Sequence, residues 1–159
     1  MDDVTIALSI HVLAIVLWIG GVAMVTTVLL PAVRNFKSTE ERVASFGLVE
    51  RRFAWQARGA TLLAGLSGFY MVHRLDLWSE FSSIAYWWLD AMVLVWLLFT
   101  LMLFVAEPLF LDRWLQNRAR LAPESTFALI QRLHWGLLVV SLITVFGAVA
   151  GSHGLSFFR

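Results

Sequence analysis

Three of the chain's four histidines, His11, His73 and His153, fall near the same end of separate long apolar runs. An ionisable side chain at membrane depth is costly and rare, so each is a functional candidate by position. Imidazole nitrogen is also a common protein ligand of haem iron and copper. Counting the helical rise from the middle of each run puts His11 and His73 roughly 10 Å toward one face, with His153 slightly further out. The spacing predicts one cofactor site, with His11 as first ligand and His73 or His153 opposite. His134, next to Trp135, falls at the other end and reads as an interfacial residue outside that site. The chain has no cysteine. Thiolate ligation, disulfides, iron–sulfur clusters and covalent haem attachment are therefore excluded.

The neighbours of these histidines fit a flat cofactor. His11 lies in an otherwise wholly apolar stretch, where an unpaired imidazole would cost several kcal/mol. Trp18 shares its helix face, and Gly21, one turn further in, leaves room for a macrocycle or a neighbouring helix. Gly65 and Gly68 precede His73, and Arg74 follows it as a candidate partner for a haem propionate. His153 follows Gly147-x-x-x-Gly151, a spacing that favours close helix packing. Asp90 is a candidate proton or quinone residue, or a group that orients a ligating histidine. Met92, close in depth to His11, is a candidate thioether ligand.

These side chains must be positioned by membrane helices. The 159 residues are 60% hydrophobic and 14% charged, and the charges cluster between apolar runs. Four runs, 4–33, 57–73, 84–105 and 133–155, can each cross a hydrocarbon core of ~30 Å. Ser38-Thr39-Glu40-Glu41 has the form of a helix start, so the second helix is expected to begin near residue 39, ahead of its apolar part. The first run follows two aspartates instead of a basic segment, and reads as a retained helix. The expectation is an all-α membrane protein: one domain over residues 1–159, folded as an up-down bundle of four transmembrane helices.

Ten of the twelve basic residues lie in the two loops 34–58 and 113–132. The positive-inside rule places those loops in the cytoplasm and both termini on the outer, periplasmic side of a bacterial cytoplasmic membrane. Trp78, Trp87 and Trp88 then form an outer aromatic belt, and Trp55, Trp114 and Trp135 an inner one. The loop arginines are expected to meet phospholipid, with no role for nucleic acid. Glu107 is expected to join Arg51, Arg52 and Arg132 in an inner ion network. Glycines in spans two and four permit a homodimer.

The pattern His11…Trp18-x-Gly20-Gly21 resembles the first helix of the copper-resistance-D-like membrane family and of the HemJ-type protoporphyrinogen oxidases, which are small four-helix haem proteins. The similarity extends to Glu50-Arg51-Arg52-Phe53, the Gly65/Gly68 pair and Trp88-Leu89. The resemblance implies haem binding at His11. The HemJ-type family also uses a lysine early in the third helix, and Trp87-Trp88-Leu89-Asp90-Ala91-Met92 contains none, which argues against protoporphyrinogen oxidation. The expected function is a b-type cytochrome carrying electrons between the quinone pool and an outer-face redox partner. The alternatives are copper handling by the same histidines and the HemJ-type oxidation.

Overall fold

The computed structural model describes residues 2–36 and 38–155; Lys37 and Arg159, both part of the charge asymmetry, lie outside them. The described residues are all-helical, without strands. Helix α1 runs Asp2–Arg34 and α2 runs Thr39–Arg74. Two short 3-10 turns, Leu77–Ser82 and Ile84–Tyr86, lead into α3, Trp87–Leu101. A π-helical stretch, Met102–Leu111, carries the chain on into α4, Asp112–Leu121, and α5 follows at Pro123–Ser152. Among the described residues, Asp2–Arg34, Ile84–Leu111 and Pro123–Ser152 are long and apolar enough to cross a membrane. Helix α2 is the longest at 36 residues, and its first half is charged.

Helix α2 starts where the sequence signals it. The Ser38 hydroxyl accepts from the Glu41 N–H at 3.0 Å, satisfying one of the orphan donors of the first turn. At its other end Asp76 takes a left-handed conformation, φ 51°, and turns the chain toward α3.

Contacts along the rods fix their directions. Against α1, α2 pairs Arg74 with Asp3 at 2.8 Å, then Ala64 with His11, then Phe53 with Gly21. Residue numbers rise on one helix as they fall on the other, so the two are antiparallel. Against α2, α3 places Trp96 on the Thr61 carbonyl at 2.9 Å, and the π-helical stretch after it places Leu103 beside Arg58. Helix α5 meets α1 through Gln131 and Thr26 at the end where the basic loops lie. It meets α3 through Gly147 and Gly151 at the end where the termini lie. The four long rods therefore alternate in direction. The glycines are what let them approach: a Cβ on Gly65, Gly147 or Gly151 would strike the rings of Trp96, Trp87 and Trp88 respectively. Gly21 likewise holds the Phe53 ring, so its space goes to a neighbouring helix and leaves none for a macrocycle.

Two prolines sit inside this helical frame, and the same device accommodates each. A π turn bonds an N–H to the carbonyl five residues back. In the π turn Val25–Leu29, the Leu30 N–H reaches the Val25 carbonyl. The next donor in that register, at Pro31, does not exist. The Thr26 carbonyl left without it accepts from Gln131 Nε2 of α5 at 2.7 Å. Pro108 stands in the second π stretch, five residues after Leu103. There Arg58 Nε of α2 donates to the Leu103 carbonyl at 3.0 Å, and its Nη2 pairs with Glu107 at 3.1 Å. Glu107, expected in a network with Arg51, Arg52 and Arg132, pairs with Arg58, the arginine level with the proline-freed carbonyl.

Candidate functional site

Between α1, α2, α3 and α5, in the half of the bundle nearer the termini, lies a cavity of about 480 Å³. Its walls are apolar apart from a few groups, among them His11, Ser141, Thr144 and the indoles of Trp88 and Trp96. That size lies within the usual range for an organic ligand, roughly 300–1,000 Å³.

His11 is half-buried, and its ring is held from the neighbouring helix. Nδ1 lies 2.8 Å from the Ala64 carbonyl and 3.1 Å from Ser67 Oγ. A carbonyl only accepts, so Nδ1 carries the proton. Ser67 Oγ spends its own hydrogen on the Leu63 carbonyl at 2.5 Å and can accept as well. Nε2 is left with its lone pair. A histidine whose second nitrogen is fixed by a backbone carbonyl is oriented and tautomer-selected as metal-ligating histidines are. Gly68 makes this placement possible: a Cβ there would come within 3.1 Å of His11 Cε1.

The other histidines are placed differently. His73 is exposed in the last turn of α2 and does not line the cavity. His11 stands level with Ala64 and Gly68, so His73 lies at least five residues, about 7 Å, further toward that end. His153 is also exposed, with Nδ1 turned to its own helix at the Val149 carbonyl, 2.8 Å away. His134 does the same toward Ile130 at 3.0 Å, in the other half of the bundle. The three histidines therefore do not form a level ring. Helix register sets their heights, and the antiparallel pairing of α1 with α2 seats His11 deeper than His73.

Of the remaining candidates, Met92 and Trp18 line the cavity. Trp18 is buried and packs edge-on to Phe99, 4.9 Å between centroids. Arg74 and Tyr70 both engage Asp3, at 2.8 and 2.9 Å, so Arg74 already has a carboxylate partner at the rim. Asp90 lies in the first turn of α3, half-buried and outside the cavity wall; a carboxylate suits that positive helix end. Among the described residues no three His, Asp or Glu side chains converge as a metal site.

Sequence reading missed the hydroxyl wall on α5, although its spacing was readable. Ser141, Thr144 and Ser152 recur at helical intervals on an otherwise apolar rod and all line the cavity. Their hydrogens are committed to carbonyls of their own helix: Ser141 to Leu137 at 2.7 Å, Thr144 to Val140 and Ser152 to Val149 at 2.9 Å each. Trp96 gives its N–H to Thr61, and His11 its proton to Ala64. The wall also carries the indoles of Trp18 and Trp88, and its free lone pair is that of His11 Nε2. Among known proteins, no family model, no curated sequence and no solved structure matches the chain.

Proposed function

We propose that the chain is a b-type haem protein of the cytoplasmic membrane, with His11 as the protein's ligand to iron. The observation that carries this reading is the tautomer-fixed His11 on the wall of an apolar cavity of about 480 Å³. The free lone pair of His11 Nε2 suits a Lewis acid, and the apolar volume suits an organic periphery. A metalloporphyrin supplies both. A bare copper ion would need several converging donors, and no such group of three His, Asp or Glu occurs among the described residues. Met71 and Met92 are the thioethers on the wall, and Met92 would be the candidate for a second protein ligand. His73 and His153 would have to leave their exposed positions to serve there.

Haem b supplies one-electron chemistry when bound, and the residues of this chain would set its position. Ala64 and Ser67 hold the His11 ring, Gly68 lets α2 close against it, and Trp18 walls the cavity on the side toward the basic loops. Electron exchange between the quinone pool and a redox partner at the terminal end is the use this reading gives it, with Asp90, outside the cavity wall, as a proton or quinone group.

The same reading makes α2 a fourth span, with both termini outside. Leu62, Leu63 and Leu66 of α2 are exposed, as a lipid-facing surface requires, and the Arg58 charge is neutralised by Glu107. The exposed Trp55, Trp114 and Trp135 stand with the arginines at the basic end, as at a membrane interface. The test is the optical spectrum of the protein purified after expression with ample haem. A Soret band lost in His11→Ala supports the reading. Its absence from the wild type rejects it.

A further inference from the structure

A second, smaller cavity lies on the basic-loop side of Trp18. Its volume is about 30 Å³, and Trp18, Phe53, Ala57, Leu103 and His134 are among its walls. A void of this size accommodates one water when two or more polar partners face it. Two polar groups on its walls lack a complete set of partners. Trp18 is only 4% exposed, and its Nε1–H is buried with no hydrogen-bond acceptor among the described residues. His134 donates from Nδ1 to the Ile130 carbonyl at 3.0 Å, which assigns its proton to that nitrogen and leaves Nε2 as an acceptor. A buried indole N–H in a native structure nearly always has a partner, protein or water.

We propose that this cavity is a binding site for one ordered water, which accepts from the Trp18 indole N–H and donates to Nε2 of His134. The roles are complementary, since one wall supplies a donor and the other an acceptor, and water bridges the two. His134, surplus to the cofactor site, thereby gains a task. Through the water it positions Trp18, whose ring walls both cavities. The wall of the large cavity is thus tied by hydrogen bonds to α5 in the opposite half of the bundle. This inference does not depend on whether the large cavity holds a cofactor.

The test uses the full chain in lipid nanodiscs with ¹⁵N-labelled indoles, the Trp18 signal being identified by its loss in Trp18→Phe. The wild type is expected to show magnetisation transfer between the Trp18 indole proton and a long-lived water. His134→Leu removes the acceptor, and Ala57→Val fills the void while keeping His134; both should abolish that transfer. The seven other indole signals report whether each variant is folded, and if His134→Leu is not, Ala57→Val decides. No transfer in the wild type, or transfer that survives in a folded variant, overturns the proposal.

Discussion

At the residue scale the account rests on which nitrogen of each histidine is committed, and to what. His134 and His153 bond back to their own helices, as any helical histidine can, whereas His11 reaches across to Ala64 and Ser67 of α2. That crossing gives His11 a fixed ring, and Gly68 is the residue that leaves space for it. Gly68→Val should push the ring aside and lower haem retention at least tenfold, as loss of a supporting contact to a metal ligand typically does. The check is haem content by pyridine haemochrome at matched protein concentration. His73→Ala and His153→Ala should leave that content unchanged. A fall in either would return an exposed histidine to the ligand set. The importance of His11 was legible from its type and its apolar surroundings. Its partners were not, because a backbone carbonyl on another helix leaves no mark in the sequence.

At the scale of the helices, glycines and prolines explain how rods with such long apolar faces reach one arrangement. Gly20 and Gly21 are adjacent yet opposite in consequence, since a Cβ on Gly20 meets nothing and one on Gly21 meets the Phe53 ring. Gly20→Ala should therefore be neutral or stabilising by up to about 1 kcal/mol through helix propensity. Gly21→Ala should destabilise by about 1–3 kcal/mol through overpacking. Thermal unfolding in detergent would show opposite signs. The Pro31 device makes a coupled prediction. Gln131→Leu orphans the Thr26 carbonyl and should cost about 1 kcal/mol. In a Pro31→Ala background residue 31 regains its N–H, and the same change should cost much less. Equal costs in the two backgrounds, measured as a double-mutant cycle, would show that Gln131 does not serve that carbonyl. The helix starts and apolar runs were readable from Ser38-Thr39-Glu40-Glu41 and from hydropathy. The partner of Pro108 was not, because Arg58 is 50 positions away in sequence and reads alone as an interfacial charge.

At the scale of the whole molecule, two facts about the bundle bear on function: its ends differ in charge, and its large cavity lies in one half. The absence of cysteine makes the proposed orientation easy to probe with single introduced thiols. Ser79→Cys, between α2 and α3, should react with an impermeant maleimide on intact spheroplasts. Arg118→Cys in α4 should react only after the membrane is opened. The reverse pattern would contradict that arrangement of the rods, and labelling of both from one side would remove α3 from the spans. The sequence showed that histidines cluster toward one end, but their exact heights depend on how α1 and α2 slide against each other. That register is set by contacts such as Asp3 with Arg74 and Phe53 with Gly21, which hydropathy does not encode. The corrected picture has one histidine in the cavity, and the central claim narrows to what that histidine holds. The most direct test is the reduced-minus-oxidised absorption spectrum of purified wild type beside folded His11→Ala. The account predicts a b-type haem signature in the wild type that is lost in the variant. A wild-type protein without haem, or a signature that survives without His11, would contradict it.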